Sequence, residues 1–225
     1  MARLHLSAAA LTVLVLCVAG TARAGDADRI SSVMGSITVN AGEHRGDLAT
    51  VNGSIRIGEG AVVGEARTVN GSVTLEARAT AAEVKTVNGS VHLNDGSQVS
   101  GLVHTVNGSL SLAKGANVTS SLANVNGSIR INAAHVGGDV ETVNGGIEIG
   151  PDAHVDGGVI IHKDHSDHGD DTRSTPPRVV IGPGSVVKGP LTFERPVELY
   201  VSDRATIGTV EGATPIKFSG DHPPG

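Results

Sequence analysis

The residues of this chain best equipped for chemistry sit close together: His162, His165 and His168 alternate with Asp164, Asp167, Asp170 and Asp171 in the string HKDHSDHGDD. Imidazoles and carboxylates at such spacing are competent ligands for zinc, nickel or copper. No H-E-x-x-H helix motif surrounds them, and a polar, Pro-bearing segment must be ordered before it can grip an ion. The expectation over residues 162–178 is therefore a solvated acidic loop with no dedicated metal or cofactor site. Adventitious binding by His162, His165, His168, Asp164 and Asp167 is the alternative.

What precedes that loop is a repeat. TVNGSIRIG at Thr50 returns as TVNGSVTLE, TVNGSVHLN, TVNGSLSLA, NVNGSIRIN and TVNGGIEIG, which places Gly53, Gly71, Gly89, Gly108, Gly127 and Gly145 18 or 19 residues apart. SVMGSITV, with Gly35, forms an atypical first copy. Between the copies lies a second motif, small-x-Val-x-small, as in AHVGG at Ala134, AHVDG at Ala153 and SVVKG at Ser185. From Ala134 the alternation sets Val136, Gly138, Val140 and Thr142 on one face. It slips phase at Val143-Asn144 and resumes inward with Gly145, Ile147 and Ile149. A period of two that slips at a fixed point describes short strands meeting at a corner.

Three sides of about six residues make a triangular coil, so the predicted fold is all-β, a single-stranded parallel β-helix or β-solenoid of about 18-residue coils with a C-terminal cap. Asn-Gly between alternating hydrophobics is also a hairpin signal. Six such hairpins in series would make a meander with no means of closing its edges, whereas stacking rewards repetition. In the stack Asn52, Asn70, Asn88, Asn107, Asn126 and Asn144 fall on one edge. Their amides are expected to bond up and down as a structural ladder, with Asn and Gly tolerating a left-handed corner. The NGS strings match the N-glycosylation pattern too, but a glycan would block the ladder.

The organisation follows. Arg3, an apolar run from Leu6 to Ala19 and the small residues Ala22 and Ala24 read as a signal peptide over residues 1–24, too short for a spanning helix. A lead-in over residues 25–31, solenoid repeats over 32–161, the loop, final coils with an aromatic cap over 179–219, and a disordered tail over 220–225 complete the chain. The only cysteine, Cys17, leaves with the leader, so neither disulfide nor thiolate site is expected. The formal charge is −6; without Arg3 and Arg23 the chain keeps 15 basic against 23 acidic residues, −8, which argues against nucleic acid or anionic lipid as the partner. All three aromatics, Phe193, Tyr200 and Phe218, lie near the C-terminus, where they are expected to cap the end or control self-association.

The small-x-Val-x-Gly steps, together with VVIGPGSVVKGPLTFERPVELYVSDRATIGTVEGA, resemble the bactofilins, a polymer-forming cytoskeletal family of parallel β-helices. The TVNGSIRI copies are similar to exported adhesin-like β-strand repeats of bacteria. The likeness spans most of residues 32–213. It implies a parallel β-helix that assembles with itself end to end; because bactofilins face the cytoplasm and this chain carries a leader, the fold implication reaches further than the cytoskeletal one. The expectation is an exported, non-enzymatic structural protein of the periplasm or cell surface, with self or an envelope component as partner. An adhesin-type binding module is the alternative, and a polysaccharide-acting enzyme a remote one. Catalysis would need converging carboxylates or a base, yet the position two beyond each repeat serine is Arg56, Thr74, His92, Ser111 or Arg130.

Overall fold

The computed structural model describes residues 28–163 and 175–223. These residues form strands, turns and bends with no helix, and the strands pair in parallel as a β-solenoid of about nine turns. Each coil has three sides. One side carries strands such as His135–Val136, the next strands such as Val140–Thr142, and the third strands such as Ile147–Ile149. Ten strands stack on the third side as one sheet. The other two sides merge into a 16-stranded sheet, because the nine-residue strands Val62–Asn70 and Thr80–Asn88 run unbroken round the bend between them.

Register follows the repeat. On the third side Ile37 pairs with Ile55, Ile55 with Val73, Val73 with Val91, Val91 with Leu110, Leu110 with Ile129 and Ile129 with Ile147. Ile147 then pairs with Val179, 32 residues on, so the His/Asp segment is an excursion from a single coil and the stack closes beneath it. The first strand, Ile30–Met34, begins inside the stretch read as a lead-in. The alternation holds: Ala134, Val136, Val140, Thr142, Ile147 and Ile149 are buried, as are their stacked equivalents Leu48, Ile55, Ile57, Leu75, Leu93, Leu110 and Leu112. Each such aliphatic contributes about 1.5–3 kcal/mol by leaving water. The interior is too narrow for many rings, which accounts for the aromatic-poor composition.

A left-handed corner does exist, but at the opposite bend from the one expected. Between the third and first sides a column of residues takes positive φ: Gly42 (70°), Gly60 (65°), Arg78 (57°), Gly96 (68°), Gly115 (73°), Ala133 (44°), Asp152 (55°) and Gly184 (71°). Directly after each except Gly42, which precedes the half-exposed Glu43, sits a small buried residue: Ala61, Ala79, Ser97, Ala116, Ala134, Ala153 and Ser185. At Gly60 a Cβ would meet nothing within 4 Å, so the glycine there serves conformation alone. Gly60→Ala should therefore cost about 1 kcal/mol, and Ala133→Gly should add about 0.5–1 kcal/mol, the left-handed cost less the entropy that glycine carries when unfolded. Urea unfolding measures both; shifts of the same sign would refute a conformational origin.

Candidate functional site

The TVNGS corner joins the second side to the third, and each of its residues has a separate task. The threonine points inward, where Thr68 Oγ1 donates to the Gly53 carbonyl at 2.9 Å, Thr86 to Gly71 at 2.9 Å and Thr105 to Gly89 at 2.9 Å. The asparagine points outward. Asn70 Nδ2 donates to Asn52 Oδ1 at 2.9 Å, Asn88 to Asn70 at 2.9 Å, Asn107 to Asn88 at 3.0 Å, Asn126 to Asn107 at 2.9 Å and Asn144 to Asn126 at 3.3 Å. The predicted ladder is thus present, but on the exposed surface, so its amides do not face the desolvation penalty of buried groups. Serine closes the motif, with Ser54 Oγ and Ser72 Oγ each accepting the Ser N–H of the following coil.

The glycine is required for a reason other than the one expected. Among Gly53, Gly71, Gly89, Gly108, Gly127 and Gly145, only Gly127 has positive φ, at 127°. What forbids a side chain is proximity: a Cβ on Gly71, Gly89 or Gly108 would overlap the carbonyl of the preceding coil's glycine. The Asn residues likewise keep ordinary φ. In exchange for this approach the glycine N–H is used, Gly53 donating to the Asn70 carbonyl at 3.0 Å, Gly71 to Asn88 at 3.0 Å, Gly89 to Asn107 at 2.9 Å and Gly108 to Asn126 at 3.0 Å.

One coil departs from the pattern. Asn124 stands where the others have threonine, and its Nδ2 donates to Gly108 at 3.0 Å and to Gly127 at 2.8 Å. That takes the carbonyl the next threonine would use; Thr142 Oγ1 and Asn124 Oδ1 are buried with no hydrogen-bond partner. The ladder then ends against Arg195, whose Nη1 donates to Asn144 Oδ1 at 2.6 Å and to the Val143 carbonyl at 3.4 Å while the residue is only 7% exposed. No repeat pattern pointed to Arg195. Its register places it in the ladder column one coil beyond the excursion, and its side chain reaches back across that coil to Asn144.

Of the metal candidates, only His162 falls among the described residues; Asp164, His165, Asp167 and His168 lie outside them. His162 Nε2 meets Glu141 Oε2 at 3.2 Å and Nδ1 meets Glu194 Oε2 at 3.5 Å, while the Lys163 N–H donates to the same Glu194 oxygen at 3.0 Å. The two ring nitrogens face different carboxylates, so the three side chains do not converge on one point. Among the described residues no group of three His, Cys, Asp or Glu is placed to hold an ion. The arrangement is a clamp for an imidazolium at the base of the excursion. The hydrogen bond that His162 donates to Glu141 raises the His162 pKa, partial burial opposes it, and the charges of Glu141 and Glu194 add to the rise. On the same side His104 is pushed the other way, by burial and by Lys85.

The aromatic residues do not form a terminal surface. Phe193 and Phe218 point inward at 5% and 6% exposure, and Phe193 has a further coil stacked beyond it. Tyr200 faces out on the third side with the Arg178 guanidinium 4.8 Å from its ring centre. Asp221, placed in the stretch expected to be disordered, accepts from Arg204 at 3.0 Å, and residues 221–223 line a groove of about 420 Å³ with Arg130, Glu148 and Arg178. Among the described residues the most exposed large apolar side chains lie toward the ends, with Val33 at 60%, Met34 at 80% and Ile216 at 48%; Val62, within the stack, is exposed to 37%. No protein-family model, curated protein sequence or solved structure matches this chain.

Two outcomes are expected. Thermal unfolding should show Asn88→Ala costing about 0.5–1.5 kcal/mol, the worth of exposed ladder bonds. Gly89→Ala should cost about 3 kcal/mol or more, because its methyl meets backbone. Equal costs would mean that the amides, not the close approach, hold the corner. The His162 contribution should be fully present below its ordinary pKa of 6.5 and should be lost as pH rises through the raised folded value. The melting difference between wild type and His162→Gln is therefore largest in acid and shrinks in alkali, His104 being common to both. A difference that grows with pH would show the clamp holding a neutral ring.

Proposed function

We propose that this chain is an exported, non-enzymatic structural β-solenoid that assembles through its ends in the bacterial envelope. The observation that carries the reading is the contrast between interior and ends. Every interior coil is paired above and below, and in the copies from Thr50 to Gly108 the Thr, Asn and Gly of the repeat are engaged in that pairing. Ile30–Met34 and Ile37–Val39 begin the stack, and Ile216–Phe218 finishes it, each paired with one neighbouring strand only. Open strand edges next to Val33, Met34 and Ile216 are templates for another chain. Contact between unlike ends does not close, so it builds a filament. The sequence resemblance to bactofilins supports the same reading, and the leader at residues 1–24 supports export.

The probes follow from exposure. Because Phe193 and Phe218 are buried, charging them would test folding; Met34→Glu and Ile216→Glu change the ends alone. Sedimentation of the wild type across a concentration series is expected to show mass growing with concentration, and the two variants are expected to stay small with unchanged melting temperature. A wild type that stays monomeric at every concentration would overturn assembly and favour the second reading, an adhesin. That reading draws its support from the third-side groove, where Arg130, Glu148, Arg178 and Asp221 line a concave surface.

A further inference from the structure

Asparagine followed by glycine is the dipeptide most open to spontaneous imide formation, since glycine leaves the backbone nitrogen unhindered. The chain has six such steps in nearly identical local sequence, so differences among them must come from the fold. At four of them the reacting nitrogen is tied up: the N–H groups of Gly53, Gly71, Gly89 and Gly108 donate to carbonyls of the next coil at 2.9–3.0 Å. A nitrogen held this way cannot lose its proton or swing toward the preceding side chain without breaking that bond. Gly127 stands between the two cases: among the described residues its N–H donates to no acceptor, and the isolated bridge between Asn126 and Asn144 lies beside it.

Asn144–Gly145 differs from the four hydrogen-bonded steps in three respects. The excursion interrupts the corner of the next coil that would accept from Gly145, and among the described residues its N–H donates to no acceptor. The Asn144 amide nitrogen makes the longest bond of the ladder, 3.3 Å to Asn126 Oδ1. Finally, Arg195 Nη1 lies 2.6 Å from Asn144 Oδ1, the oxygen on which negative charge would develop. A charged donor aimed at a developing oxyanion lowers the barrier to attack at the adjoining carbon.

We propose that Asn144 is a site of spontaneous deamidation and isoaspartate formation, and that the steps at Asn52, Asn70, Asn88 and Asn107 are protected by the stack. The Gly145 nitrogen gives its proton to water and attacks Asn144 Cγ. The new C–N bond forms, Nδ2 takes a proton back from water, the Cγ–Nδ2 bond breaks, and ammonia leaves. Water then opens the five-membered imide at either carbonyl, giving aspartate or isoaspartate without any change of oxidation state. The product places a carboxylate against Arg195, an ion pair in place of a hydrogen bond from the guanidinium to a neutral amide.

The test ages the purified full chain at mildly alkaline pH, folded and in denaturant, and follows each Asn-Gly peptide by mass spectrometry. The unfolded sample supplies each step's intrinsic rate. The folded-to-unfolded rate ratio at Asn144 is expected to exceed that of Asn52, Asn70, Asn88 and Asn107 by about threefold to tenfold, the factor set by breaking one hydrogen bond. Asn144→Gln, which cannot close a five-membered imide yet keeps an amide for Arg195, should abolish the product in that peptide. Equal ratios at all steps, a highest ratio at any other asparagine, or a folded chain that resists at Asn144 as well would overturn the proposal. Product persisting in the Asn144→Gln peptide would overturn it too.

Discussion

Neighbouring coils approach one another at the TVNGS corner until the glycine of one has its carbonyl where the Cβ of the next would lie, and the rest of the stack depends on that distance. Parallel strands sit about 4.8 Å apart whatever their sequence. At a corner the chain has to turn within that spacing and still pair its N–H and C=O groups. Removing the Cβ lets the Gly71 N–H reach the Asn88 carbonyl and leaves the Gly71 carbonyl open to the Thr86 hydroxyl. Once glycines stack on glycines, threonines must stack on threonines and asparagines on asparagines. Register is then determined at every coil, because a slip of one residue would drive a side chain into a carbonyl.

The interrupted coil shows how much irregularity this constraint accepts. The 32-residue step from Ile147 to Val179 leaves the three sides in register on both flanks, so the excursion adds length without displacing the core. The corner needs a substitute for the missing asparagine, and Arg195 supplies one. Its longer side chain reaches Asn144 Oδ1 and the Val143 carbonyl together, ending the ladder on a charged donor. Nearby, Asn124 in place of threonine takes two glycine carbonyls and leaves Thr142 Oγ1 without an acceptor. The disturbance stays within that corner, since the aliphatic rungs Ile129, Ile131, Ile147 and Ile149 remain buried.

The architecture was legible because the pattern is periodic at two scales, alternation within a side and recurrence at 18 or 19 residues between coils. The inward set from Ala134 to Ile149 could be written from the sequence and, apart from the half-buried Gly138 and Gly145, is the set the fold buries. The asparagine ladder was legible too, as identical amides stacked at strand spacing have one another as nearest partners. The role of glycine was misassigned because glycine answers two different demands, positive φ and close approach, and composition does not distinguish them. The left-handed column went unread because Arg78, Ala133 and Asp152 interrupt its glycines. The aromatics were placed by rarity rather than by phase; alternation alone puts Phe193 inward. Arg195 carried no periodic signal, since it answers an interruption and has no counterpart in other coils.

A stack of this kind separates the residues that make the fold from those free to vary. The inward residues and the TVNGS corner are bound by packing and pairing, whereas the outward position of the third side passes through Arg56, Thr74, His92, Ser111, Arg130 and Glu148 without disturbing the coil beneath. Recognition of a repeating ligand by successive coils would require the same side chain at successive rungs, and that column does not supply it. Individuality is confined to what the repeat does not dictate: the two ends, the third-side groove, and the break between Ile161 and Arg178 where His162 and Arg195 face their partners. The constraint that makes the interior coils interchangeable is therefore also the one that moves any specific contact to the places where the repetition stops.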